Sequence, residues 1–153
     1  GELANYIPEL AAVDPDKLAA SIAMVDGEQY AAGDSDVEFT IQSISKPFVY
    51  ALALADRGYD DVLAKVGVEP SGEPFNELSL EDGSGKPLNP MINAGAITTH
   101  SLVGPPGATQ GERMERVISG LSAFAGRRLS VNERWSTRTA TTRLRTCCAA
   151  TAS

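Results

Sequence analysis

The chain has 153 residues, of which 42% are apolar, and a formal net charge of −7. That is enough apolar sequence for one core of ordinary size, and the acidic balance argues against nucleic acid or anionic lipid as a partner. No run of about 18 apolar residues marks a membrane span, and no basic segment followed by an apolar one marks a secretory signal, so a cytoplasmic location is the default expectation; the start at Gly1 rather than Met leaves a lost N-terminal segment open.

Residues 4–11 (ANYIPELA) predict a short helix or turn around Pro8. SIAMVDGEQYAAGD (21–34) predicts two short strands about Asp26-Gly27, because Asp-Gly between apolar runs is a strong hairpin signal. Ile22, Met24 and Tyr30 are expected along it. VEFTIQ (37–42) reads as extended chain. From Ser45 to Arg57 the pattern is helical, carried by Phe48, Val49, Ala51, Leu52 and Ala55 and ended by Gly58. A second short helix is expected from Asp60 to Val66, ended by Gly67. Residues 69–92 are rich in Pro and Gly, and an irregular stretch of this length in a compact domain is either functional or disordered. A helix over 93–102 follows, weakened by Thr98 and Thr99. After the break at GPPGATQG (104–111), Met114, Val117, Ile118, Leu121 and Phe124 mark one face of a final helix, and Gly126 ends it. The class is mixed α+β.

One short stretch carries the chemistry. In QSISK (42–46), Ser43 and Lys46 stand three apart, a spacing that shares one helical face. A serine hydroxyl needs an adjacent base to become a nucleophile, and a lysine serves when burial keeps its amine neutral. Ile41, Ile44, Phe48 and Val49 offer that burial. Pro47 is tolerable if the helix begins near Ser43, since the first helical N–H groups have no internal partner. Those N–H groups then face the position of a developing oxyanion. The plainer reading makes Ser43 or Ser45 an N-cap and Lys46 a solvated side chain. A bare S-x-x-K does not decide between the two.

The neighbouring segments do. YIPEL (6–10), VDGEQYAAGD (25–34), FTIQSISKPFVYALAL (39–54), VGVEPSGEPFNEL (66–78) and PLNPMINAGAI (87–97) resemble, in order and spacing, the serine-dependent glutaminases. The resemblance runs from residue 1 to about 131. It implies a β-lactamase/transpeptidase-like fold, here only in part. It also implies hydrolysis of the side-chain amide of L-glutamine to L-glutamate and ammonia through a seryl acyl-enzyme. Carried over by motif, Ser43 is the nucleophile and Lys46 its general base. Tyr6 relays a proton to the leaving ammonia, Asn93 binds substrate, and Gln42 joins the substrate site beside Ser43. No cofactor or metal is implied, and the intact family member is expected to be a homo-oligomer, a dimer or tetramer. Two other readings stay open. One is a penicillin-binding or β-lactamase-like serine hydrolase, against which stands the lack of S-D-N and K-T-G. The other is a non-catalytic remnant that binds full-length subunits.

His100, the single histidine, has no accompanying acid motif and reads as a structural residue. Asp60-Asp61 and Glu81-Asp82 read as solvated charges. Residues 1–132 hold nine basic and 19 acidic residues, whereas residues 133–153 hold four arginines against Glu133. That last stretch also holds six threonines and a single leucine, so it has neither period nor apolar content for a core. Trp135, Cys147 and Cys148 lie in it and receive no role; adjacent cysteines have no metal-site spacing. The resemblance implies that a glutaminase continues beyond residue 132 with further substrate residues and a second oxyanion donor. The domain is therefore expected over 1–132, with 133–153 an aberrant, disordered tail arising from an out-of-frame reading. A chain so built is expected to be inactive or weakly active alone.

Overall fold

The computed structural model describes residues 3–5, 8–74 and 76–131. The tail expected over 133–153 and Tyr6 both lie outside the described residues. Two compact units divide the chain, residues 1–39 and residues 40 onward.

The first unit holds α1 (Pro8–Ala11) and an antiparallel hairpin of β1 (Ala19–Ala23) and β2 (Gln29–Gly33). Ile22 pairs with Tyr30 and Ala19 with Gly33. The Asp26-Gly27 turn forms as its sequence predicts. Gly27 has φ +93°, and the Asp26 carboxylate accepts the Glu28 N–H at 3.0 Å. Met24 falls in this turn rather than on the strand, where its carbonyl accepts the Gly27 N–H at 3.1 Å. The open end is closed by Asp34, which accepts from Lys17 Nζ at 2.9 Å and from Leu18 N–H at 3.1 Å.

The second unit is helical. A 3₁₀ turn (Gln42–Ile44) runs into α2 (Ser45–Arg57), followed by α3 (Tyr59–Leu63), α4 (Asn93–Ser101) and α5 (Gln110–Ala125). The core is Val49, Leu52, Ala53, Val62, Val103, Val117 and Leu121. Val49, Leu52 and Ala53 repeat at spacing 3 and 4, as do Val117, Gly120 and Leu121, so α2 and α5 each offer one buried stripe. Ala51 and Ala55, expected on the apolar face, are exposed instead. Gly120 lets Leu52 lie directly on the α5 backbone; a Cβ there would overlap the leucine side chain. Phe48 and Phe124 extend the packing, with ring centroids 5.2 Å apart.

Glycines end α2 and α5 as expected, Gly58 at φ +81° and Gly126 at φ +65°. Gly67 does not end α3, which stops earlier, at Leu63. It sits where the backbone passes the Leu88 carbonyl too closely for a Cβ, and its N–H donates to Pro87 O at 2.8 Å. Residues 69–92 are not structureless. Leu80 and Pro87 form an antiparallel bridge, and the Glu81 and Leu88 N–H groups donate to Lys86 O and Ser79 O. Thr98 and Thr99 do not break α4, because each hydroxyl donates back to the carbonyl four residues earlier, at 3.0 and 2.8 Å.

Candidate active site

Ser43 lies in the 3₁₀ turn, exposed to solvent, two residues before α2 begins. Pro47 falls in the first turn of α2, where its missing N–H costs no helical bond. Neither serine caps the helix: the N-cap is Ile44, and no side-chain cap bond is made. The Ser45 hydroxyl, buried, donates to Gln42 O at 2.7 Å.

Lys46 is not a solvated side chain. It is partly buried, and its Nζ donates to Met91 O at 2.8 Å and to Asn93 Oδ1 at 2.9 Å. Burial disfavours the ammonium form and brings its pKa below the ordinary 10.5. In its neutral form the amine still donates N–H groups and keeps the lone pair that a base uses.

Asn93 is the first residue of α4, and the turn before it aims it at Lys46. The Asn89 side chain builds that turn. Its Oδ1 accepts the Met91 and Ile92 N–H groups at 3.0 and 3.2 Å, and its Nδ2 donates to Glu69 O at 2.9 Å. Gly95 lets α4 come down on this turn; a Cβ there would collide with the Asn89 carbonyl. Asn89 and the Met91 carbonyl escape a sequence reading directed at nucleophiles and bases. The Asn-Pro dipeptide at 89–90 is the signal that points to a side-chain-built turn.

Gln42 is partly buried, and its Nε2 donates to Thr40 Oγ1 at 3.2 Å. Its φ of +45° is the one positive value among described non-glycine residues. Lys46 and Asn93 thus meet directly, with Ser43 and Gln42 on the turn leading to Lys46. His100 stands apart from this group: it is partly buried on α4, and burial, helped by the nearby Arg113 charge, lowers its pKa below 6.5. Among the described residues, no three His, Cys, Asp or Glu side chains cluster as a metal site requires. No described helix is long and apolar enough to cross a membrane. A groove on α5, lined by Glu115, Ile118, Ser119, Ser122, Arg128 and Leu129, includes none of the residues above.

A mixed α+β fold thus carries a serine and a partly buried lysine at one helix start. The match to known proteins is narrower. The glutaminase family model matches residues 1–151, and the chain belongs to that family. It is 54% identical over 132 residues to a glutaminase of Corynebacterium glutamicum, which covers 86% of this chain and 32% of that relative. It is 55% identical over 126 residues to a glutaminase of Trichormus variabilis, covering 82% and 37%. Among solved structures, Mglu in its tris and glutamate form superposes with a TM-score of 0.80 at 54% identity, over 88% of this chain and 30% of that one. A probable glutaminase, ybaS, superposes with a TM-score of 0.83 at 40% identity, over 95% and 47%. The chain therefore spans about a third of the length of the curated relatives it matches.

Proposed function

We propose that this chain carries the nucleophile and base of a glutaminase, which hydrolyses the side-chain amide of L-glutamine to L-glutamate and ammonia. Ser43 Oγ attacks the amide carbon while the Lys46 amine takes its proton. Tyr6 passes a proton to the leaving ammonia, and water then cleaves the glutamyl ester on Ser43. Asn93 has two roles in this reading: it binds substrate, and its Oδ1 holds Lys46. Gln42 lines the same side of the substrate.

One observation carries the reading. Lys46 Nζ is fixed between Met91 O and Asn93 Oδ1, one turn beyond Ser43 and partly withdrawn from water. A surface lysine has no need of two convergent acceptors brought from residues 91 and 93. In this reading further substrate-binding groups come from regions of the relatives that the chain does not span. Removing a single oxyanion donor alone costs about a hundred- to a thousandfold in rate. Ammonia release from L-glutamine by the purified chain is accordingly expected to be low, and to fall to background in Ser43→Ala. Equal release above background by both chains would refute Ser43 as the nucleophile. Release as fast as a full-length relative's would show that those further groups are not needed. We also propose self-association into dimers or tetramers, which sedimentation of the purified chain tests.

A further inference from the structure

The residue ahead of Ser43 is held in an unfavourable conformation. Gln42 has φ +45°, in the left-handed region that side-chain-bearing residues seldom adopt. Such a conformation persists only where its surroundings over-determine it. Here the Gln42 side chain is tied to Thr40 Oγ1, and its carbonyl is held by Ser45. Ser45 sends both its N–H and its hydroxyl to the Gln42 carbonyl, the hydroxyl at 2.7 Å. Ser45 is the first residue of α2, where the helix requires no side-chain donor, and its N–H, shared between the Gln42 and Ser43 carbonyls, closes the 3₁₀ turn. It is nevertheless buried, and burying a hydroxyl is unfavourable unless it is hydrogen-bonded.

We propose that Ser45 is a positioning residue for Ser43. By gripping the Gln42 carbonyl it keeps Gln42 left-handed. That conformation sets the direction in which the Ser43 N–H and hydroxyl leave the chain. The proposal rests on the reading of Ser43 as nucleophile and adds how it is aimed. Its consequence has a definite sign. Without the Ser45 hydroxyl, the strain at Gln42 relaxes and Ser43 turns away. A glycine at 42 adopts the left-handed conformation without that strain, so Gln42→Gly should restore what Ser45→Ala loses. A hydroxyl that merely stabilised the fold would show no such rescue.

The test compares the parent chain, Ser45→Ala, Gln42→Gly and the double variant by two measurements. The first is amide hydrogen exchange over residues 41–48. The second is the rate at which a small sulfonyl fluoride labels Ser43, read by intact mass with Ser43→Ala as the blank. The probe has no glutamine-like side chain, so any part that Gln42 plays in holding substrate does not enter. Ser45→Ala should speed exchange at 42–45 and slow labelling about tenfold to a hundredfold, the scale of a misaimed reacting group. The double variant should recover most of both. Labelling of Ser45→Ala at the parent's rate would overturn the proposal, as would a double variant no faster than Ser45→Ala. If Ser45→Ala does not fold, Ser45→Cys, close in size but a weak donor, should show the same loss and the same rescue. A parent chain that takes no more label than Ser43→Ala would instead overturn the nucleophile reading, and this proposal with it.

Discussion

Burial shifts the proton affinity of Lys46. A lysine in water holds its proton to about pH 10.4 and is no base at neutrality. Burial penalises the ammonium and lowers that pKa. The neutral amine therefore accumulates as pH rises through a value below 10.5. Labelling of Ser43 by a small electrophile should follow, climbing with pH to a plateau whose midpoint lies below 10.5, and Lys46→Met should lose that climb. A midpoint at or above 10.5 would mean that Lys46 is not the base. How much of this is legible differs by residue. The S-x-x-K spacing of Ser43 and Lys46 is local and reads directly. The Met91 carbonyl does not, because a main-chain oxygen has no sequence signature and lies 45 residues from Lys46. Gly95 is similar: its need for a bare Cα shows only once the Asn89 carbonyl lies against it.

Elements whose ends are governed by their own residues follow the sequence closely. The hairpin turns on Asp26-Gly27, and α2 and α5 end at Gly58 and Gly126. The start of α5 holds a further local signal, which a reading by apolar periodicity passes over. Thr109 and Glu112 form a capping box there, in which Thr109 N–H donates to Glu112 Oε2 at 2.7 Å and the Glu112 N–H to Thr109 Oγ1 at 3.3 Å. The joins between helices are not legible. Asp56 on α2 accepts from Arg116 Nη2 on α5 at 2.7 Å and from the Gly104 N–H at 2.8 Å, while Arg57 Nε donates to Leu102 O at 3.1 Å. Burial opposes the Asp56 charge, but the Arg116 and Gly104 bonds and the charges of Arg116 and Arg57 outweigh it, leaving its pKa below 3.8. The unfolded chain then binds the proton more readily. The clamp's contribution is complete above pH 3.8 and is lost as pH falls through the lower folded value. Asp56→Asn should cost about 1.5–3 kcal/mol at pH 7, the scale for a hydrogen bond to a charged group. The gap from the parent should close in acid. Denaturant melts from about pH 7 down to about pH 2 check both, and a gap that does not narrow below pH 3.8 would remove Asp56 ionisation as its source.

For the molecule as a whole, stability should be uneven. All ten residues of β1 and β2 are exposed, and an isolated two-stranded hairpin is marginal in water. Val49, Leu52, Val117 and Leu121, by contrast, form one buried cluster. Amides of residues 19–33 should exchange far faster than those of 49–54 and 117–122, as low-stability units do. Equal protection in both units would contradict this. The family is legible without coordinates, because the motifs around Ser43 and Asn93 are contiguous in the chain. What the sequence determined by itself was set by neighbours within a few residues: the Asp26-Gly27 turn, the glycine stops, the amphipathic stripes of α2 and α5, and the place of Ser43 at a helix start. Only the tertiary structure decided which atoms Lys46 meets, why Gly67 and Gly95 must lack a side chain, how Asp56 ties α2 to α5, and that Gln42 is left-handed. Lys46 and Asn93 lie 47 residues apart, and Asp56 and Arg116 lie 60 apart; no local preference encodes such a pairing. The left-handed Gln42 runs against the local preference of a glutamine, and the hydrogen bonds to its carbonyl hold it there.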